Sequence, residues 1–320
     1  MIAAIPFYEL RMLPEGVRVI LGSWQTVVPT FGIPIDPWAT LVCLGVLLGM
    51  EVSRARAIRM GLDTRDIVDG IVFTVLLGFV GAHVLTVVAY YPERLKTDGI
   101  WALLRVWQGF SSTGGFLGGI AALLIFYKWV GYWYLGWKEP RDVMRFADLI
   151  AYGFPIGWLF GRAGCAVVHD HIGSITTWPI GVNFPTGSVA TGVRHELGLY
   201  EMVLTLPMMA LFYQLGKKDR PPGFFLGLFF VLYAPMRFGL DFLRNNDLEN
   251  HDARYAGMTP AQYGMFLLLA FGLWLVFRPR PDFHPCALDF APDQGRRALG
   301  LPAVAAEAPT APDAPPAEPA

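Results

Sequence analysis

Residues 224–244 read FFLGLFFVLYAPMRFGLDFLR, and this stretch indicates the class of protein. It begins as an apolar run of the length that a membrane-spanning α-helix needs, about 20 residues. One face of that helix carries four polar residues spaced by four, four and three positions: Tyr233, Arg237, Asp241 and Arg244. A charged stripe inside a membrane is costly unless it faces a partner or a wet cavity, so it indicates a functional site. The alternative is an Arg237–Asp241 pair that only locks two helices.

Six further apolar runs lie outside this stretch. They cover residues 38–52, 67–90, 114–135, 147–160, 199–215 and 261–277. Together with residues 224–243 they predict an all-α membrane protein with about seven transmembrane helices. The runs are continuous rather than alternating, which argues against a transmembrane β-barrel.

The composition agrees with a membrane protein. The 320-residue chain is 54% hydrophobic and 16% charged, whereas a typical soluble domain is about 25% charged. A water-soluble enzyme is therefore a poor fit, and a net charge of −1 without a basic block excludes a nucleic-acid binder. Three cysteines are too few for a disulfide framework, and we expect free thiols at Cys43, Cys165 and Cys286.

Basic connections predict the orientation, because Lys and Arg are enriched in short cytoplasmic loops. Such connections at residues 54–65, 138–145 and 217–220 follow the first, third and fifth runs. They predict that the N-terminus lies outside and the C-terminus in the cytoplasm. The chain then divides into three parts: an outer-interface segment over 1–36, a seven-helix membrane domain over 37–278 and a disordered Pro/Ala-rich cytoplasmic tail over 279–320.

A second polar segment, GRAGCAVVHDHIG, covers residues 161–173. Arg162 falls at the membrane boundary, where a guanidinium can bind a phosphate through two hydrogen bonds or can simply extend from a helix end into water. Asp170 lies between His169 and His171 in what is either a solvated loop or a metal site. Adjacent ligands lack the usual spacing and no third ligand is evident, so we expect no metal.

Two more polar segments adjoin apolar runs: RHELGLYE at residues 194–201 and FSSTGGFLGG at residues 110–119. His195 is the best general-base candidate by residue type, although the first of these segments also suits a polar helix start. Gly114 and Gly115 permit close approach of a lipid or, more simply, of another helix.

Four arginines fall on the predicted outer side: Arg162, Arg194, Arg237 and Arg244. The enrichment of basic residues on the cytoplasmic side makes them unusual there, and an anionic phospholipid headgroup would explain them. His83 lies inside the second apolar run, where an interhelical hydrogen bond is the preferred interpretation.

These segments resemble the prolipoprotein diacylglyceryl transferase family over most of residues 36–278. The family's Gly-Arg-x-Gly-Asn signature and its closing Gly are matched at Gly161, Arg162, Gly164 and Gly173, with Asp170 at a Glu position. Its Arg-His-Pro-Ser-Gln-Leu-Tyr-Glu motif is matched at Arg194, His195, Leu199, Tyr200 and Glu201. Its Tyr-Gly-x-x-Arg-Phe-x-x-Glu-Phe-x-Arg motif is matched at Tyr233, Arg237, Phe238, Phe242 and Arg244, with Asp241 for Glu; Gln262 is similar too.

The sequence also departs from the family pattern. Thr113 replaces a His that precedes Gly-Gly, Cys165 replaces the signature Asn, Ala39 replaces a Tyr, and residues 196–198 replace Pro-Ser-Gln. A threonine does not accept a proton near neutral pH as an imidazole does. The chain must then find a substitute or lack the standard activity. The candidate substitutes are His195 by motif, His169 or His171 across the outer loop, and the carboxylate of Asp170.

The resemblance implies transfer of a diacylglyceryl group from phosphatidylglycerol to the lipobox cysteine thiol of a preprolipoprotein, with glycerol phosphate leaving. It implies a multi-pass protein of the bacterial plasma (inner) membrane that needs no cofactor. The implied catalytic residues are His195, Asp170 and Tyr233. The implied headgroup-binding residues are Arg162, Arg237, Arg194, Arg244, Asp241, Gly114, Gly115 and Thr113.

Three other functions remain open from the sequence. One is a divergent paralogue that uses the same phospholipid with another acceptor, which Thr113 and Cys165 favour. A second is a lipid-binding membrane protein without catalysis. A small-solute transporter ranks last, because no internal repeat is evident.

Overall fold

The computed structural model describes residues 4–31, 33, 35–105, 110–188, 190–248 and 254–279. Most of these residues are helical. The helices are α1 (Pro37–Arg59), α2 (Thr64–Leu85), α3 (Glu93–Asp98), α4 (Trp101–Leu104), α5 (Ser112–Ile125), α6 (Gly131–Leu135), α7 (Val143–Val168), α8 (Leu197–Leu215), α9 (Phe224–Leu240) and α10 (Pro260–Phe277). π-helical turns at Thr86–Tyr90 and Phe126–Val130 extend α2 and α5, and a 3-10 turn at Asp241–Leu243 extends α9.

Four helical stretches of the described chain are long and apolar enough to cross a membrane: Thr64–Val88, Gly114–Leu135, Val143–Val168 and Phe224–Leu243. A shorter apolar helix covers Ala261–Phe277. The described part of the chain is thus mostly helical with four membrane-capable helices, while the count of seven and the orientation of the termini stay predictions.

Helix α7 is longer than the apolar run at residues 147–160 predicts. Asp142 caps its start by accepting a hydrogen bond of 2.9 Å from the backbone nitrogen of Met144. The helix ends at His169, whose left-handed backbone has φ 55°. It continues past residue 160 because Arg162 is paired inside the protein rather than exposed at a helix end.

The basic residues after the first apolar run lie on a helix and not in a connection, which corrects the sequence interpretation of residues 54–65. Arg54, Arg56 and Arg59 belong to the last turns of α1. Arg56 is buried and donates a hydrogen bond of 2.8 Å to the carbonyl of Gly216. The helix extends this far because its polar residues find partners within the protein.

Close glycine contacts bring two helix pairs together. A Cβ added to Gly153 of α7 would lie 2.2 Å from the carbonyl oxygen of Gly49 on α1. One added to Gly114 of α5 would lie 2.5 Å from the carbonyl oxygen of Gly81 on α2, and one on Gly115 would also face α2. Helix packing therefore accounts for Gly114, and a role for these glycines in lipid binding stays a prediction.

Seven short strands among the described residues show that the all-α prediction was wrong outside the membrane helices. They are β1 (Ile5–Pro6), β2 (Tyr8–Leu13), β3 (Gly16–Leu21), β4 (Trp24–Pro29), β5 (Ile172–Ile175), β6 (Val182–Phe184) and β7 (Gly192–Glu196). β2, β3 and β4 form an antiparallel sheet, with a tight Gly22–Ser23 turn between the last two. The other sheet has the order β1-β6-β7-β5 and carries Arg194, His195 and Glu196 on its inner strand β7.

Candidate functional site

A buried carboxylate joins three helices at the centre of the candidate site. Glu201 of α8 has a fully buried side chain. Its Oε2 lies 2.8 Å from Nε of Arg162 on α7, and its Oε1 accepts a hydrogen bond of 2.7 Å from Nη1 of Arg237 on α9. One carboxylate thus neutralises parts of two guanidinium groups inside the helix bundle.

The charged network continues along α9 to a second carboxylate. Asp241 Oδ1 lies 3.1 Å from Nη2 of Arg237 and accepts a hydrogen bond of 2.6 Å from Nε of Arg244. The hydroxyl of Thr259 donates to the other oxygen of Asp241. We call Arg162, Glu201, Arg237, Asp241 and Arg244 the arginine cluster.

Helix caps and helix spacing hold the second carboxylate in place. Arg237 and Asp241 are four positions apart, so the helical turn brings them together as the sequence predicts. Thr259 caps α10 in a capping box with Gln262, whose side chain donates to the carbonyl of Phe238 on α9. The start of α10 therefore fixes the end of α9.

Aromatic rings form the apolar side of the cluster. The guanidinium carbon of Arg162 lies 4.4 Å from the ring centroid of Trp158, one turn earlier on α7. Tyr233 meets the edge of Trp158 with centroids 5.3 Å apart and stacks on Phe229. Sequence reasoning named Tyr233 but missed Trp158, although its position four residues before Arg162 was a usable signal.

His171, Asp170 and Cys165 meet the other side of Arg162. Nη1 of Arg162 donates to Nε2 of His171 over 3.3 Å and lies 3.8 Å from Sγ of Cys165. Nδ1 of His171 is hydrogen-bonded to Oδ1 of Asp170. Asp170 thus lies beside the imidazole that contacts Arg162, and its catalytic role stays a prediction.

The side chains of Cys165, Asp170 and His171 could also be ligands of a metal ion. Donor atoms of Cys165, Asp170 and His171 lie within 4.8 Å of one another, so the third ligand that the sequence did not reveal is present in space. However, Nη1 of Arg162 contacts two of the three donors. A guanidinium in that position repels a cation, and we therefore interpret these side chains as neighbours of the arginine cluster rather than as ligands of a metal ion.

His169 lies outside the arginine cluster, and its side chain is buried against the N-terminal segment. Its Nδ1 is 2.8 Å from Oε2 of Glu196, its Nε2 donates to the carbonyl of Tyr8, and its ring stacks on Phe7. Burial raises the pKa of the Glu196 carboxyl to about 6. This pair fastens the N-terminal segment to the end of α7.

His195 and Arg194 also lie apart from the arginine cluster. Nδ1 of His195 is 3.0 Å from the hydroxyl of Tyr200, and burial lowers the pKa of this imidazole. Nη1 of Arg194 donates to Asp247 over 3.0 Å. Within the described ranges, no side-chain hydrogen bond or ion pair joins either residue to the cluster. Their catalytic and headgroup roles stay predictions, and the side chain of Thr113 lies outside the described residues.

An apolar groove begins beside the cluster, between α8 and α9. It has a volume of about 270 Å³. Six side chains line it: Leu204, Pro207, Met208, Leu211, Leu232 and Met236. Leu204 lies one turn after Glu201, and Met236 is the neighbour of Arg237, so polar and apolar surfaces adjoin.

Sequence reasoning missed Glu201 as a site residue, although Glu201 belongs to one of the matched sequence motifs. A carboxylate inside a membrane helix is itself a functional signal.

Comparison with known proteins gives a consistent family match. Residues 26–278 match the family described as prolipoprotein diacylglyceryl transferase. The chain is 31% identical over 249 residues to the phosphatidylglycerol–prolipoprotein diacylglyceryl transferase of Nitratidesulfovibrio vulgaris strain DP4, covering 77% of this chain and 90% of that relative. Proteins of the same name from Teredinibacter turnerae and Acinetobacter baumannii strain ACICU are 29% identical over 284 residues and 30% identical over 246 residues. The alignments cover 87% and 75% of this chain, and 94% and 86% of the two relatives.

Proposed function

The chain belongs to the prolipoprotein diacylglyceryl transferase family, and from this premise we propose that its arginine cluster binds the phosphate of phosphatidylglycerol during transfer. The protein is a membrane transferase of lipoprotein biosynthesis that moves a diacylglyceryl group from phosphatidylglycerol to a prolipoprotein. The observation that carries the proposed site is the sharing of Glu201 by Arg162 and Arg237 inside the helix bundle.

The charge of the cluster suits a phosphodiester. Arg162 and Arg237 share the carboxylate of Glu201 inside the helix bundle, and guanidinium groups pair readily with the negative charge of a phosphodiester. Arg162 and Arg237 present planar forks that match phosphate geometry, and Glu201 holds both in fixed positions. Such preorganised donors stabilise charge that develops on a leaving group.

The groove between α8 and α9 suits the acyl chains of the same lipid. Its lining is aliphatic and thioether-rich, and it starts within one helical turn of Glu201. A diacylglyceryl group has its polar attachment point at one end and its acyl chains at the other. Binding the phosphate at the cluster and a chain in the groove would place the glyceryl carbon between them.

The chemistry follows from that placement. The thiol of the prolipoprotein attacks the glyceryl carbon that bears the phosphate ester, the carbon–oxygen bond breaks, and glycerol phosphate leaves. Arg162 and Arg237 stabilise the departing phosphate. We infer that the attacking thiol is the lipobox cysteine of the signal peptide.

The finer membrane arrangement belongs to the same proposal: seven spans in a bacterial plasma membrane, with the N-terminus outside and the C-terminus in the cytoplasm. The basic connections at 138–145 and 217–220 and the bacterial relatives support it. A single cysteine introduced at position 60 should be labelled only after permeabilisation, and one at position 180 in intact cells. The opposite labelling pattern would refute this orientation.

Arginine-to-lysine variants test the phosphate site. Arg162→Lys and Arg237→Lys keep the charge and lose the planar fork. In phosphatidylglycerol vesicles with a lipobox peptide, each should lower the transfer rate about 10²-fold, measured by the mass shift of the peptide. Arg56→Lys, at a buried arginine bonded to Gly216, is the matched control and should keep its rate. Full activity in both cluster variants would show that the arginines are structural, and phosphatidylglycerol binding without transfer by the unaltered chain would favour a lipid-binding protein.

A further inference from the structure

We propose that His171, oriented by Asp170, is the base that takes the proton from the acceptor thiol. This inference rests on the proposed function and deepens it. The sequence left three imidazoles open for this step, His169, His171 and His195, and the contacts in the folded chain distinguish them.

Two of the three imidazoles have other partners. His169 has a fully buried side chain and uses one ring nitrogen on Glu196 and the other on the carbonyl of Tyr8. His195 lies against Tyr200 and the edge of Trp178. Among the described imidazoles, which also include His83 on α2, His171 is the one hydrogen-bonded to the arginine cluster.

The hydrogen bonds of His171 fix its tautomer. A guanidinium only donates, so Nε2 of His171 accepts from Arg162 over 3.3 Å and carries a lone pair. Nδ1 carries the proton and donates it to Asp170. A carboxylate that holds an imidazole in this tautomer also stabilises the imidazolium that forms when Nε2 takes a proton. His171 thus has the arrangement of a general base, and Asp170 is its positioning residue.

Exposure supports the same assignment. The side chains of His171 and Asp170 are 22% and 40% exposed, while Glu201 is fully buried. The base therefore lies on an open side of the cluster, where a peptide thiol can arrive, whereas Arg162 and Arg237 are largely buried. The groups facing His171 are Asp170, the guanidinium of Arg162 and the buried thiol of Cys165.

The proposed step balances with the substrates of the transfer. The S–H bond of the acceptor breaks and its proton moves to Nε2 of His171. The sulfur electron pair forms the new C–S bond, the C–O bond to phosphate breaks, and its electron pair stays on the departing phosphate oxygen. His171 then returns its proton to the leaving glycerol phosphate or to water.

Arg162 also links this base to donor binding. In the structure Nη1 of Arg162 donates a hydrogen bond to the lone pair on Nε2 of His171. The distance between the two nitrogens is 3.3 Å, which is long for a charge-assisted hydrogen bond. A phosphate at the cluster offers Arg162 a stronger acceptor. Donor binding would thus release Nε2 and make His171 available to the thiol only when the lipid is in place.

The test compares His171→Gln with His195→Gln in the full chain, in phosphatidylglycerol vesicles with a lipobox peptide. His171→Gln should lower kcat about 10²–10⁴-fold with little change in KM for the peptide. The transfer rate of the unaltered chain should fall as the pH is lowered, and the rate of His171→Gln should show no such fall. His195→Gln should keep this fall at low pH. The proposal would be overturned if His171→Gln had a normal kcat and kept the fall, or if His195→Gln alone lost it.

A second pair of variants separates catalysis from folding. Asp170→Asn leaves the imidazole in place and should lower kcat, while Asp170→Glu should restore part of it. Phosphatidylglycerol should still stabilise His171→Gln against unfolding if this variant is folded. If Asp170→Asn has the same kcat as the unaltered chain, Asp170 does not position His171 for catalysis. If the unaltered chain binds phosphatidylglycerol and transfers nothing, the proposed function itself is wrong and this inference falls with it.

Discussion

Replacing Glu201 with glutamine should strongly destabilise the folded protein. The carboxylate is fully buried and contacts Arg162 at 2.8 Å and Arg237 at 2.7 Å. Removing one partner from a buried ion pair typically costs about 3–5 kcal/mol, because the remaining charge is left without compensation. A glutamine accepts from one guanidinium through its oxygen and turns an NH₂ group towards the other. We therefore expect the free energy of unfolding to fall by an amount within that range.

The assay is unfolding in lipid bicelles with a matched control. Glu51→Gln makes the same change in a Glu–Arg pair at 2.6 Å whose carboxylate is 58% exposed, and exposed pairs contribute less than about 1 kcal/mol. Adding phosphatidylglycerol should stabilise Glu201→Gln more than the unaltered chain, since the phosphate supplies the missing negative charge. If Glu201→Gln is no less stable than Glu51→Gln, the carboxylate is not the counter-ion that organises the cluster.

Three further predictions concern other parts of the chain. Burial raises the pKa of Glu196 from 4.5 to about 6, so folding favours its protonated form. Stability should fall by about 2 kcal/mol in total from a pH well below 4.5 to a pH well above 6, and pH-dependent unfolding of Glu196→Gln should lack that fall. Thr259→Ala removes the cap of α10 and a hydrogen bond to Asp241 and should cost about 1–2 kcal/mol, measured by denaturant unfolding, whereas Thr259→Ser should keep most of the stability. Gly153→Ala places a methyl group 2.2 Å from the carbonyl of Gly49 and should lower the free energy of unfolding by about 1–3 kcal/mol, measured by thermal unfolding. Gly161→Ala on the same helix meets open space and is the control. Equal stability of these two variants would refute the close packing of α1 and α7.

The long helices were predictable because their apolar runs have the length of a membrane span. Their ends were not, since a helix continues through polar residues when these have partners inside the protein. Arg56 extends α1 in this way and Arg162 extends α7. The strands were missed because each has two to six residues, too few to stand out beside runs of twenty.

The arginine part of the site was predictable, whereas the choice of imidazole was not. Arg162 and Arg237 fall in separate polar motifs, and Arg237 lies one helical turn before Asp241. The choice among His169, His171 and His195 depends on backbone geometry. The left-handed turn at His169 brings His171 back to Arg162, and the β5–β7 pairing holds His195 in another direction.

The bridging position of Glu201 also bears on how the chain enters the membrane during synthesis. A ribosome delivers α7 before α8, so Arg162 reaches the bilayer before its counter-charge exists. An arginine at the middle of a membrane helix opposes insertion by about 2.5–3.5 kcal/mol, and Arg162, near the C-terminal end of α7, opposes it by less. Release of α7 into lipid is therefore most favourable together with α8, as a helical hairpin in which Arg162 and Glu201 are already paired. Arg237 on α9 then joins a site whose negative charge is in place, and assembly of the charged network follows the order of translation.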